Sequence, residues 1–204
     1  EFSLKITEYG IDTGGANTQD VYNYGRQREH KHCVLLKGSS RPNRPIISAT
    51  PSNVDVHWNG QRIENGAKLW MIGTDVGKQW LASRMRLQSG PGAMHFNTAL
   101  GQEWYEQLLA EKRVITYLRG RAKVSWEKPN GARNEAWDLA NYNLALAHHL
   151  GLHKWTQADW ERLRERLRRN GAKPAQAEHD TQQVQPPAAP RPAARRRVFS
   201  KGIA

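Results

Sequence analysis

Three carboxylates stand where chemistry could be done. Asp12 ends "EFSLKITEYGID", a stretch that alternates like a strand and runs into the turn "TGGAN". An acid at the carboxyl end of a strand is where open α/β sheets place their sites. Gly14 and Gly15 then let the chain turn close to whatever Asp12 holds. Glu135 and Asp138 open "NEAWDLANYNLALA", which reads as a helix. Residues three and four apart share a helix face, so Glu135, Asp138, Leu139, Tyr142 and Leu146 point roughly the same way. That face is otherwise apolar and is expected in the core, where acids are costly unless something pairs with them. The residues alone leave two accounts open. Asp12 could simply cap its turn, with Glu135 and Asp138 complementing the helix dipole at a surface. Or the three acids could converge on hard divalent cations such as Mg²⁺. Two such ions about 3.5–4 Å apart are suited to cutting phosphodiesters.

The elements that must position these acids read as strand, helix, strand, then further strand–helix units, which predicts an α/β fold with at least partly parallel strands. "TQDVYNYGRQRE" is a helix, with Thr18 as N-cap and Val21 and Tyr22 on its buried side. "HCVLLKG" is a short apolar strand of a sheet covered on both faces. A proline-rich loop, "SSRPNRPIISATPSN", leads to a hairpin turning at Asn59-Gly60 and then to a separate strand, "KLWMIGT". "DVGKQWLASRMRLQ" is a helix from Thr74 or Asp75, and "SGPGAMHF" a turn into an extended segment. "TALGQEWYEQLLAEKRV" is an amphipathic helix, and "ITYLRGRAKVSWEKPNG" a hairpin before the acid-bearing helix. In the last helix, Thr156 and Asp159 form a capping box, Trp155 and Trp160 a hydrophobic staple, and Gly171 the stop. From Ala172 the Pro-, Ala- and Gln-rich composition predicts a disordered basic tail, residues 172–204, after a domain spanning 1–171.

The 204 residues carry 31 Lys and Arg against 19 Asp and Glu, a formal net charge of +12. That excess points to a polyanion, nucleic acid before an anionic membrane surface. No run is long and apolar enough to span a bilayer, and no signal-peptide pattern is present. A single cysteine, Cys33, excludes an internal disulfide and fits a reducing compartment. "GTDVGKQ" is one residue short between its glycines and lacks Ser or Thr after Lys78, so it is not an ATP-binding phosphate loop. The histidines at 148, 149 and 153 lack the paired spacing of a structural zinc site. Basic residues cluster at Arg41 and Arg44, around the hairpin at Arg113, Arg119, Arg121 and Lys123, and along the last helix. They read either as solvated faces or as phosphate contacts.

"IDTGGANTQDVYNYGRQR", "LLKGSSRPNRP", "MIGTDVGKQWLASRM", "GPGAMHF" and "GARNEAWDLANYNLALA" occur in that order. Together they resemble the C-terminal nuclease domain of phage terminase large subunits, lambda-like branch, over roughly Phe2 to Leu150. The resemblance implies a ribonuclease H-like mixed sheet flanked by helices. It also implies an endodeoxyribonuclease, a hydrolase that cuts concatemeric viral DNA through a two-metal site of Mg²⁺ or Mn²⁺. By motif Asp12 matches the acid of the family's fourth strand and Glu135 that of its last core helix, with Asp138 beside them. The expected metal-binding and catalytic set is therefore Asp12, Glu135 and Asp138. The expected DNA-binding set is Lys37, Arg41, Arg44, Lys78, Arg119 and Arg121. The family's first strands and their acid are expected before Glu1, and its ATPase domain further upstream, so the chain reads as a fragment. The implied partners are double-stranded DNA, the terminase small subunit and the portal of the procapsid. Portal contact is expected through Arg195, Arg196, Arg197 and Phe199. The full-length motor is expected as a homo-oligomer in the cytoplasm of the bacterial host, away from membranes. The competing reading is a non-catalytic DNA- or portal-binding fragment of the same motor, with the acids as caps. A junction resolvase or transposase fits the order of the motifs less well.

Overall fold

The computed structural model describes residues 6–118 and 120–171. A four-stranded sheet is built from β1 (Tyr9–Asp12), β2 (Cys33–Gly38), β3 (Ser52–Trp58) and β4 (Gln61–Ile72), in the order β1-β2-β4-β3. β1, β2 and β4 are parallel, and β3 is antiparallel to β4. The mixed α/β class read from the sequence is therefore present.

β2 shows why the sheet sits in the middle. Its residues Cys33, Val34, Leu35 and Leu36 are all buried. Alternation sends Leu35 to one face and Val34 and Leu36 to the other. Leu35 meets Tyr22 of helix α1 (Thr18–Gln27), with Val56, Ala67 and Leu69. Val34 and Leu36 meet Ile72 and Ala145 of the long helix α4 (Glu135–His149). Side chains as deeply buried as Leu36 and Ile72 each contribute roughly 1.5–3 kcal/mol. A third cluster joins α2 (Thr74–Met85), α3 (Gln102–Leu108) and α4 around Leu81, Leu108 and Trp137. Trp126 of the hairpin β5 (Lys112–Leu118)–β6 (Arg121–Glu127) packs on Trp137, ring centres 5.5 Å apart. Helix α5 (Gln157–Gly171) follows.

The Asn59-Gly60 turn has φ of 49° and 73°, the double left-handed conformation a two-residue hairpin requires. "KLWMIGT" is not a separate strand. It continues the hairpin arm as one 12-residue β4, because a bulge between Val54 and Val56 absorbs the irregular middle. Thr18 is the first helical residue and not the N-cap. Its hydroxyl donates back to the carbonyls of Thr13 and Gly15, at 3.0 and 2.9 Å. The helix expected from Thr98 to Val114 shortens to α3, because Lys112–Val114 pair with Ser125–Glu127. At α5 the Trp155–Trp160 staple forms, ring centres 4.7 Å apart. Only half of the capping box forms. Asp159 accepts the Thr156 N–H at 2.8 Å, while the Thr156 hydroxyl turns to the same carboxylate. Among the described residues no helix is long and apolar enough to cross a membrane. The tail and its portal-directed residues Arg195, Arg196, Arg197 and Phe199, like Arg119, lie outside the described residues.

Candidate active site

Local hydrogen bonds set the carboxylate that ends β1. Asp12 Oδ1 accepts the backbone N–H of Gly14 at 2.9 Å, so this acid does cap its turn. Thr13 beside it is pinned. Its N–H and its hydroxyl both donate to the Leu36 carbonyl, at 2.9 and 3.1 Å. Asp12 remains exposed and opens onto a cleft of about 450 Å³ that Glu135, Asp138, Leu139 and Tyr142 also line. The cap and the shared cleft thus coexist.

The face of α4 bearing the acids was expected in the core, and this is corrected. Leu139 is 59% exposed, and α4 buries Ala136, Trp137, Asn141 and Ala145 instead. The register of the acids with Leu139 and Tyr142 is as the spacing requires. Further along the helix Tyr142 and Leu146 do pack against the Val34–Leu36–Ile72 cluster. The same face borders the open cleft beside Asp12 from Glu135 as far as Leu146.

Each acid has its own electrostatic setting. Tyr142 borders the same cleft as Asp12. Burial first, then the nearness of Asp12 and the charges of Asp12 and Asp138, hold its phenol well above the ordinary tyrosine range, so it stays protonated. A hydrogen bond from its own backbone N–H, then Arg133 and Lys128 nearby, hold the Glu135 carboxyl below the usual range. Arg133 Nε stands 3.3 Å from Glu135 Oε2.

Lys78, expected at DNA, is buried at the border of the basic groove. Its side chain is 5% exposed and its ammonium is used up inside the protein. Nζ lies 2.8 Å from both Glu111 carboxylate oxygens and 2.7 Å from Asp138 Oδ1. Asn134 Nδ2 completes the network, donating to Glu111 Oε1 at 2.6 Å and to Asp138 Oδ2 at 2.9 Å. Glu111, Asn134 and the Tyr142 hydroxyl were not singled out from the sequence. One signal was present: Lys78 lies one turn before the buried Leu81, on the packed side of α2.

The cleft donors are carboxylate oxygens, the set hard divalent cations take. Two of the three acids already carry a cationic neighbour, Lys78 on Asp138 and Arg133 on Glu135. Among the described residues no group of three or more His, Cys, Asp or Glu is gathered closely enough to hold an ion. His149 instead pairs with Glu8 at 2.8 Å, and His148 stacks on His153.

Of the basic residues, Arg41 and Arg121 line one groove of about 1050 Å³, together with Lys123, Asn43 and Ser125. Lys78 borders that groove and Asp138 borders the acid cleft, so the two openings meet at their ion pair. Arg44 and Lys37 are exposed but line neither opening.

Fold and site define a mixed α/β domain with a carboxylate-lined cleft between β1 and α4, beside a basic groove. Residues 1–160 match the family described as terminase large subunit gpA, endonuclease domain, and the chain belongs to that family. It is similar to the terminase large subunit of Escherichia phage lambda, with 30% identity over 160 residues, covering 74% of this chain and 23% of that protein. The terminase large subunit of Enterobacteria phage P21 is 27% identical over 165 residues, with coverage of 74% and 23%. The chain thus spans 23% of the length of these curated relatives. No solved structure matches it. The family read from the ordered motifs is borne out.

Proposed function

We propose that this chain is the endonuclease portion of a DNA-packaging enzyme, cutting concatemeric viral DNA by metal-dependent phosphodiester hydrolysis on a ribonuclease H-like scaffold. The observation that carries this is the shared cleft. Asp12 from the first strand and Glu135 and Asp138 from the fourth helix open on one space, although the chain separates them widely.

Asp12 and Glu135 would hold Mg²⁺ or Mn²⁺. When bound, such an ion activates water and neutralises charge on the phosphate. The protein's own part is positional. The Gly14 N–H orients Asp12, Tyr142 borders it in the cleft, and Arg133 steadies Glu135 until a stronger cation replaces it. Arg41, Arg121 and Lys123 hold the phosphate backbone without reading sequence. Among the described residues the outer edge of β1 has no partner strand, which leaves room for an upstream strand with a further acid. In the full-length protein the reading extends to the small subunit, and to portal docking through residues 172–204.

Asp12→Asn or Glu135→Gln, made in the full-length protein, tests the reading. Each abolishes Mg²⁺-dependent cleavage and leaves duplex affinity largely intact. Full cleavage in both overturns the reading, because the cutting chemistry then lies outside this cleft and leaves this chain a DNA-binding part.

A further inference from the structure

Both oxygens of the Asp138 carboxylate are already engaged. Oδ1 takes the Lys78 ammonium at 2.7 Å, and Oδ2 takes the Asn134 amide at 2.9 Å. Glu111 holds Lys78 from the other side, and the two facing side chains are 5% and 6% exposed. A lysine buried this deeply stays charged only with a counter-ion beside it. Glu111 supplies that counter-ion, and Asp138, 40% exposed at the cleft wall, is a second one. The network also ties three separate elements together: α2 through Lys78, the approach to β5 through Glu111, and the start of α4 through Asn134 and Asp138. Glu135 sits inside that last segment.

We propose that Lys78 and Asp138 are positioning residues, and that Asp138 is not a metal ligand. The Lys78–Glu111–Asp138–Asn134 network fixes the first turn of α4, so that Glu135 meets Asp12 across the cleft. This rests on the proposed nuclease reading and changes it. The metal-binding acids of this chain are Asp12 and Glu135, and Asp138 neutralises a buried lysine.

The test is Mn²⁺ titration of the full-length protein without nucleotide, read by calorimetry, beside thermal melting and DNA cleavage. Asp138→Asn keeps the shape and one acceptor oxygen, so it can accept from only one of Lys78 and Asn134, and it removes the charge. It keeps Mn²⁺ affinity within about twofold, while Glu135→Gln loses at least about tenfold. Asp138→Ala lowers kcat without changing duplex affinity, and Asp138→Asn recovers part of it. Lys78→Met leaves Glu111 buried without a counter-ion and lowers Tm by roughly 10 °C or more. Adding Glu111→Gln recovers Tm but not kcat, because Asp138 still lacks its cation. A merely structural network would recover both, and that result overturns the proposal. Equal loss of Mn²⁺ affinity in Asp138→Asn and Glu135→Gln also overturns it, making Asp138 a ligand while the nuclease reading stands. Unchanged affinity in Asp12→Asn and Glu135→Gln overturns the metal reading, and this proposal falls with it.

Discussion

Tyr142, in the second turn of α4, borders the same cleft as Asp12 at the end of β1, and the Asp12 charge helps to keep its phenol protonated. Tyr142→Phe removes the hydroxyl and keeps the ring. It costs at most about 0.5–1.5 kcal/mol of stability, the worth of one hydrogen bond. The larger effect is on cleavage, which falls about tenfold or more as Asp12 loses its orientation. Cleavage equal to wild type at saturating metal would show that the Gly14 N–H orients Asp12 unaided.

Helices α2 and α4 meet at Gly77. A β-carbon there would lie 2.0 Å from Asn141 Oδ1, and Asn141 is 2% exposed. Gly77→Ala therefore overpacks the contact and costs about 1–3 kcal/mol, despite the better helix propensity of alanine. The midpoint of urea unfolding should fall with an unchanged slope. A gain in stability would mean that Asn141 can swing away.

The basic groove is tested by salt. Arg41→Ala and Arg121→Ala should each weaken duplex binding alike across sequences and flatten the log–log salt slope by about one. Lys68 belongs to the other end of the strands, where it pairs with Glu29 at 2.5 Å, so Lys68→Ala should leave the slope unchanged. Equal slopes for all three variants would move the DNA path away from the groove.

His148 gives a pH dependence. Burial first, and the neighbouring His153 second, depress its pKa below the ordinary 6.5. The unfolded chain therefore takes up the proton first. Stability is fully present above 6.5 and is lost as pH falls below it towards the folded value. His148→Phe removes this contribution, so Tm should fall less steeply from about pH 7 to about pH 5 than in wild type. Parallel Tm profiles would assign the acid sensitivity to other groups.

What the sequence made legible was local or periodic. The Asn59-Gly60 turn, the Trp155–Trp160 staple and the face shared by Glu135, Asp138 and Tyr142 all follow from spacing within a few residues. The misreadings are tertiary. The segment before Val114 favours helix on its own, but pairing with Ser125–Glu127 takes its end into a strand. Acids beside Leu139 suggested a buried face, yet whether a face is buried depends on what packs on it, and here that side borders a cleft. Lys78 and Glu111 are 33 positions apart and meet only once α2 and the hairpin are in place. No spacing rule reaches that far.

The central claim is that Asp12 and Glu135 hold a divalent cation, and anomalous diffraction tests it most directly. Crystals of the full-length protein soaked in Mn²⁺ should show a peak within about 2.0–2.6 Å of carboxylate oxygens from both residues. Peaks elsewhere, with that cleft empty, would contradict the account.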